Sequence, residues 1–177
     1  MAGASMKDIK LRIKSVESTM QITKAMELVA SSKLRKAKER QERCRPYFMG
    51  LKQTLESIET ATNDFSSPYQ QQREIKKRCL IVIAGDRGLA GGYNSNVFKS
   101  VQPMLEEGSV CVLPIGKRTV DFFARNGIEI LTTEFAEAAS VSVSDCFTIS
   151  NLITKGYLNG QYDEVSVVYT RFVSMLT

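Results

Sequence analysis

The sequence contains no histidine, and this absence excludes several classes of enzyme chemistry. Histidine triads, histidine metal sites and histidine general bases are ruled out, whereas carboxylate or lysine chemistry remains open. Cysteine is scarce and scattered, at Cys44, Cys79, Cys111 and Cys146, with no C-x-x-C spacing. The pattern therefore predicts neither a zinc site nor a disulfide framework. Cys79 and Cys111 lie in apolar runs and are expected to be small core residues.

Long hydrophobic runs are absent as well. No stretch reaches the roughly 18 apolar residues that a membrane-spanning helix requires. The N-terminal segment MAGASMKDIK lacks the apolar centre of a signal peptide. We expect a cytosolic protein, or one that reaches a membrane only through partners. A hydrophobic content of 43% and a charged content of 24% are ordinary for a soluble domain.

What the chain does have is a very long stretch with few helix-breaking residues at its start. From Met6 to about Ala61 there is one glycine, Gly50, and one proline, Pro46. A single helix of this span would be roughly 80 Å long, far longer than a small domain is wide. Such a helix is predicted to project as a lever, a spacer or half of a coiled coil.

The apolar residues of this helix indicate that other protein surrounds it. Ile9, Ile13, Val16 and Met20 follow the 4-3-4 spacing of a heptad seam. After Met20, apolar residues occupy most faces, as in a helix that is enclosed. No second helix of comparable length is predicted in the sequence, so the helix self-associates, belongs to a fragment, or inserts into another protein.

The positive charge is concentrated in one segment of the helix. Residues 33–45 contain seven Lys or Arg and two Glu, a local charge of +5 that equals the net charge of the whole chain. The patch predicts an acidic partner, which could be nucleic acid, lipid or protein. The alternative is a solvated helix face with i,i+4 ion pairs, such as Lys38 with Glu42 and Glu39 with Arg43.

The rest of the chain has the pattern of an α/β domain. Residues 1–61 are predicted as a shaft helix, 62–77 as a polar linker or mobile loop, and 78–177 as a Rossmann-like domain with a mainly parallel sheet flanked by helices. Strands are predicted at 79–84, 109–115, 128–132 and 165–170, with residue 173 as an alternative end of the last strand. Helices are predicted from Asn94 or Ser95 to Leu105, over 117–126 with Val120, Phe123 and Ala124 inward, and over 142–158.

A glycine turn, GDRGLAGG at residues 85–92, follows the first predicted strand. It could cradle a phosphate, but it matches neither G-x-G-x-x-G nor G-x-x-x-x-G-K-[ST], and Lys117 and Arg118 stand where a ribose-binding acid would be expected. We favour the interpretation that these glycines permit a sharp turn between the strand and the helix. A third hypothesis is that Asp86 and Arg87 lie at the exposed tip of this turn and contact a partner protein.

These segments resemble one family along nearly the whole chain. Residues 6–37 resemble the N-terminal helix of the γ subunit of F-type ATP synthases, and residues 85–96 (GDRGLAGGYNSN) are similar to that family's loop after its first strand. Residues 116–127 and 162–177 also match. The ITKAM and DRGLxGG segments are the most specific parts of the resemblance.

The resemblance implies a non-catalytic rotor subunit of a proton-translocating ATP synthase. In that family the N-terminal helix winds with a long C-terminal helix inside a ring of three α and three β subunits. The α/β domain binds the ε subunit and the c-ring. The resemblance implies no catalytic residue, cofactor, metal or nucleic acid in this subunit, and a peripheral location at the cytoplasmic face of the bacterial plasma membrane.

The resemblance also implies roles for particular residues. Lys33, Lys36 and Arg87 would face acidic C-terminal loops of the β subunits, and Met26 would pack at a position where added charge disturbs coupling. Two departures stand out: Ala90 replaces a common cysteine, and the sequence stops at Thr177, before the family's C-terminal helix. We therefore expect a truncated chain whose N-terminal helix pairs with a second copy of itself.

Two other functions remain open on the residues alone. A DNA-binding protein that uses the basic helix would show binding that weakens steeply with salt. A nucleotide-using α/β enzyme with Asp86 and Lys117 at its site would bind a ligand directly, although no nucleophile–base pair or metal cluster can be assembled from the motifs.

Overall fold

A computed structural model describes residues 5–61, 67–69 and 73–173 of the chain. By its internal contacts the chain divides into two compact units, Met1–Ser66 and Ser67–Thr177. The first unit contains one long helix and the second contains a parallel sheet with helices on both faces. This arrangement confirms the predicted fold class.

The first unit is the helix α1, Met6–Ala61, which confirms the predicted length. Its first turn is closed by Ser5, whose carbonyl accepts the backbone N–H groups of Asp8 and Ile9 at 2.8 and 3.1 Å. Pro46 lies inside the helix without ending it, although a proline there removes one backbone hydrogen bond and crowds the preceding turn. Residues 6–60 are all solvent-exposed in this chain.

The second unit alternates strands and helices in chain order. Its elements are β1 (Lys77–Ile83), α2 (Tyr93–Glu106), β2 (Ser109–Ile115), α3 (Lys117–Arg125), β3 (Glu129–Ile130), α4 (Val143–Leu158) and β4 (Glu164–Val168). The spatial order is β3-β2-β1-β4, and all three strand pairs are parallel. The chain therefore reverses its direction of winding between β1 and β4, the place where doubly wound folds commonly carry a functional loop.

The central strands are buried on both faces, as their continuous apolar sequence predicts. Cys79 and Cys111 pack with Ile149 and Ile153 of α4 on one face. On the other face, the side chains of β1, β2, α2 and α3 form a second core cluster (Leu80, Val82, Ala84, Val97, Val101, Val112 and Phe123). The predicted core positions of Cys79 and Cys111 are confirmed, since both are fully buried.

Several predicted strand boundaries are wrong. The third strand, predicted over 128–132, is only Glu129–Ile130, because it pairs with β2 at two positions. The fourth strand stops at Val168, opposite Val82 of β1, and does not reach residue 170. The first strand begins at Lys77, the last residue of the predicted linker.

Two helix details also differ from prediction. The cap of α2 is Gly92, without a side-chain hydrogen bond, so neither Asn94 nor Ser95 caps this helix. In α3, Ala124 is exposed and Thr119 is buried in its place. The hydroxyl of Thr119 donates to the carbonyls of Ile115 and Gly116 at 2.8 and 2.7 Å, which is how the core accommodates a polar residue there.

Part of the predicted linker lies outside the described residues. In the described part, Tyr69 stacks on Tyr157 of α4 with ring centroids 5.8 Å apart. The guanidinium of Arg73 lies 4.4 Å from the centroid of the same ring and donates to the Tyr157 carbonyl at 3.0 Å. These residues therefore pack on the α/β unit.

Candidate functional site

The glycine turn between β1 and α2 is fixed in shape by one side chain. The Asn94 carbonyl oxygen accepts the N–H of Gly85 at 2.8 Å, and its amide donates to the carbonyl of Arg87 at 3.1 Å. A Cβ on Gly85 would come within 3.0 Å of the Asn94 oxygen, and one on Gly88 within 2.7 Å of Arg118 Nη2. The glycines thus permit a sharp and closely packed turn, as the favoured sequence interpretation holds.

Asp86 connects this turn to two distant segments. Its carboxylate accepts the backbone N–H groups of Lys117 at 3.2 Å, Ala138 at 2.8 Å and Ala139 at 3.2 Å. Burial alone would raise the pKa of Asp86, but these three N–H groups stabilise the ionised form and lower its pKa below the ordinary value. Asp86 therefore joins the turn to two other segments of the same unit. This corrects the hypothesis that Asp86 lies at an exposed tip that contacts a partner.

The exposed tip of the turn consists of Arg87 and Leu89. Arg87 has no ion pair within the part of the chain that the structure describes. Leu89 is fully exposed and has a φ of +57°, a conformation that disfavours residues with a branched side chain. A rigid turn thus presents one cation and one apolar side chain to solvent.

Two N–H groups that the phosphate-binding interpretation would use are already occupied. Helix N-termini bind anions through free N–H groups, but the N–H of Tyr93, at the start of the α2 helix that follows the turn, donates to the Ala90 carbonyl at 3.2 Å. The N–H of Lys117 at the start of α3 is occupied by Asp86. The Lys117 ammonium pairs with Glu137 at 3.2 Å. A cavity of about 370 Å³ lies beside Tyr69, Tyr157 and Glu164. It is at the opposite end of the sheet from the glycine turn, so the turn does not line it.

The long helix carries an apolar stripe along its whole length. The 4-3 spacing that begins at Ile9 continues without a break to Ile58. This first stripe consists of Ile9, Ile13, Val16, Met20, Thr23, Glu27, Ala30, Leu34, Ala37, Gln41, Cys44, Phe48, Leu51, Leu55 and Ile58. Thr23, Glu27 and Gln41 are its polar members. The predicted seam residues Ile9, Ile13, Val16 and Met20 are 44–66% exposed, so the seam faces solvent in this chain.

A second stripe runs beside the first with the same spacing. It consists of Ile22, Met26, Val29, Lys33, Lys36, Arg40, Arg43 and Tyr47, each directly preceding a member of the first stripe. The two stripes are therefore about 100° apart around the helix. The second stripe is apolar through Met26 and Val29 and then becomes cationic for about three turns.

The four cations of the second stripe have no carboxylate partner among the described residues. Glu39 pairs with Arg35 at 4.0 Å, so its predicted pairing with Arg43 is wrong, and Glu42 pairs with Lys38 at 3.8 Å as predicted. Both acids of the basic segment are thus neutralised on another face. Lys33, Lys36, Arg40 and Arg43 form an unpaired row, which we call the cation stripe. The sequence reasoning named only its first two members, although the heptad spacing could have identified Arg40 and Arg43.

These features are typical of a protein that assembles with other proteins, because exposed apolar stripes of this length rarely remain uncovered. Among the described helices, none combines the length and the apolar composition needed to cross a membrane.

Comparison with known proteins agrees with this class. A family model described as "ATP synthase" matches residues 5–177. The chain is 43% identical to the ATP synthase gamma chain of Ruminococcus albus over 98% of the chain and 62% of that relative. It is 45% identical to the ATP synthase gamma chain of Alkaliphilus metalliredigens, over 99% of the chain and 61% of the relative. It is 41% identical to a protein of Acetobacterium woodii named "ATP synthase gamma chain, sodium ion specific", over 98% of the chain and 58% of the relative.

The chain therefore belongs to the ATP synthase gamma chain family, which confirms the resemblance seen in its sequence. It spans about 60% of the length of the curated relatives it matches.

Proposed function

We propose that this chain is the central-stalk rotor subunit of an F-type ATP synthase and that it couples rotation driven by ion flow to ATP synthesis or hydrolysis on the β subunits. In this proposal the subunit is itself non-catalytic. Residues 1–61 form the shaft, residues 62–77 connect it, and residues 78–177 form the domain that meets the ε subunit and the c-ring.

The observation that carries the proposal is the pair of stripes on α1. A helix with two heptad stripes about 100° apart can contact two different surfaces at once. The first stripe, including Ile9, Ile13, Val16 and Met20, would pack against a second long helix. The second stripe would face the surrounding ring of α and β subunits, with Met26 in its apolar part.

The cation stripe supports acidic contacts with the ring. Lys33 and Lys36 lack ion pairs among the described residues and are therefore available to carboxylates of the β subunits. Arg87, at the tip of a rigid turn, is available in the same way. Charge complementarity of this kind favours correct association and opposes wrong partners.

We further propose a peripheral location at the cytoplasmic face of the plasma membrane, reached through the c-ring, and protons as the coupling ion. The relative from Acetobacterium woodii is named sodium ion specific. The coupling ion is therefore to be tested with the whole complex in proteoliposomes, by comparing ATP synthesis driven by a proton gradient with synthesis driven by a sodium gradient. Synthesis driven by sodium alone would contradict the choice of the proton.

The test of the proposal is reconstitution. The chain is mixed with purified α and β subunits, the complex is isolated by size exclusion, and its ATPase activity is measured. We expect one copy of the chain to enter each α3β3 ring. Failure to enter, with the α/β unit folded, would contradict the proposal that this chain assembles with the α3β3 ring as its rotor subunit.

Charge reversal separates the proposed contacts from nonspecific charge effects. Lys33→Glu, Lys36→Glu and Arg87→Glu are each expected to weaken incorporation or coupling. Lys99→Glu, at an exposed lysine of α2, makes the same change in net charge away from the proposed contacts and serves as the control. Equal effects of Arg87→Glu and Lys99→Glu would contradict a role for Arg87.

A further inference from the structure

Two cysteines occupy directly opposite positions in the two central strands of the sheet. Cys79 of β1 and Cys111 of β2 are register partners in a parallel pair. Neighbouring strands are about 4.8 Å apart, and this separation lies within the range of Cα–Cα distances, roughly 4.4–6.8 Å, that a disulfide can bridge.

Both side chains point to the same face of the sheet. Cys79 and Cys111 belong to one core cluster, together with Tyr162 and Ile149, whereas Leu80 and Val112 pack on the other face. Both cysteines are fully buried and reduced. The sulfur of Cys111 lies 3.6 Å from the carbonyl of Arg78 on β1, so its side chain reaches toward the partner strand.

We propose that Cys79 and Cys111 form a reversible disulfide site within the sheet core, with a low-molecular-weight disulfide as the oxidant. This inference is independent of the proposed function. The bond would join the two central strands covalently, and it would close a loop that contains the glycine turn and α2.

The chemistry is two thiol–disulfide exchanges. The Cys111 thiolate attacks one sulfur of the oxidant, forming a mixed disulfide and releasing one thiol, which takes the proton that Cys111 lost. Cys79 then loses its proton and attacks the Cys111 sulfur, so the second thiol leaves with that proton. The protein loses two protons and two electrons, and the oxidant gains both.

The environment of the pair favours this order of attack. The neighbouring Cys79 side chain lowers the pKa of Cys111. The Cys111 side chain and burial both raise the pKa of Cys79. Lys77, at the start of β1, also favours the Cys111 thiolate. Because both thiols are buried, exchange requires a transient opening of the sheet or takes place during folding.

The experiment uses the full chain with Cys44→Ser and Cys146→Ser, which removes the two exposed thiols. The reduced protein is refolded from urea in an oxidised and reduced glutathione buffer and then assayed for free thiols under denaturing conditions. We expect the number of free thiols per chain to fall from two to none. Trypsin is expected to release fragments 79–87 and 100–117 as one species that separates on reduction.

A second measurement tests whether the bond forms within the native fold. The urea midpoint of the oxidised chain is expected to exceed that of the reduced chain, and a reductant should reverse the shift. The further variant Cys79→Ala retains one thiol and should show no shift between the two buffers. The proposal is overturned if the folded chain keeps both thiols in a buffer that oxidises the same chain in urea, or if the joined fragments come only from chains linked to each other by a disulfide.

Discussion

At the scale of single residues, Asp86 is the side chain whose role depends most on the tertiary structure. It joins the glycine turn to the start of α3 and to the Ala138–Ala139 backbone through three N–H groups. These partners lie 31, 52 and 53 residues away in the sequence. No local pattern could therefore reveal the tie, and the sequence showed only an acid in a glycine turn.

Replacement of Asp86 is expected to destabilise the α/β unit. Asp86→Ala leaves three N–H groups without their acceptor, at a cost of about 2 kcal/mol. Because the pKa of Asp86 is lower in the folded chain, its contribution is fully present above the ordinary pKa of about 3.9 and is lost as the pH falls through the folded value. Urea unfolding at pH 7 and at about pH 3 should show the difference between wild type and variant shrinking in acid.

The control for this prediction is Asp121→Ala, which removes a carboxylate whose nearest cation, Arg118, is 4.0 Å away at the surface. It is expected to change stability by less than about 0.5 kcal/mol. An Asp86→Ala effect that is as small as the control, or that grows in acid, would contradict the assigned role.

Gly116 offers a test of backbone geometry at the end of β2. Its φ is +110°, and an added Cβ would overlap the carbonyl oxygen of Ala84. Gly116→Ala is expected to destabilise the unit by about 3 kcal/mol or more, because both the dihedral and the contact oppose it. Gly127→Ala changes a glycine with a φ of +65° and open space around it, and should cost only about 1 kcal/mol. The free energy of unfolding of both variants is measured by chemical denaturation, which separates the effect of the dihedral from that of the contact. Equal losses of stability would contradict the overlap of the added Cβ with the Ala84 carbonyl oxygen.

At the scale of elements, the helices were easier to predict than the strands. The apolar spacing and the scarcity of glycine and proline are local properties, so α1 was predicted close to its observed limits, Met6–Ala61. The length of β3 depends on how far it pairs with β2, and the end of β4 on where β1 ends. Pairing of this kind is decided by tertiary contacts, which a local pattern does not contain.

The same contrast holds for the candidate site. Lys33 and Lys36 were named from the resemblance to the family, and the heptad spacing places Arg40 and Arg43 in the same row. That none of the four pairs with a carboxylate among the described residues is known only from the structure. Glu39 turns to Arg35 and so leaves Arg43 without the partner that its i,i+4 spacing suggested. Which of two equally spaced cations an acid chooses depends on side-chain geometry, since the two pairings differ little in energy.

The cation stripe gives a prediction with a closely matched control. Lys36→Gln with Arg40→Gln removes two positive charges from the stripe, and Arg35→Gln with Lys38→Gln removes two from other faces that carry their own acids. If the stripe meets carboxylates of a β-subunit ring, the first pair should weaken binding to α3β3 by about tenfold or more, and the second far less. Binding is measured by titration at fixed salt, and equal weakening would indicate that only net charge matters.

At the scale of the whole molecule, the question is what covers the first stripe of α1. Residues 6–60 of this helix are all exposed in the isolated chain, including large side chains such as Val16 at 66% and Met20 at 62%. Burial of a side chain of this size stabilises a complex by roughly 1.5–3 kcal/mol before entropy is counted. A second helix should therefore occupy the stripe whenever one is present.

In the absence of α and β subunits, we expect two copies of this chain to pair through the first stripe. Sedimentation equilibrium should then show a dimer at tens of micromolar concentration. Ile13→Glu places a charge within the apolar part of the first stripe and should shift the chain to monomer. Leu11→Glu introduces the same charge at a similarly exposed position outside both stripes and should leave the dimer intact. A wild-type chain that remains a monomer with a fully helical arm would contradict pairing, and dissociation by both variants alike would show that the dimer does not depend on the heptad seam.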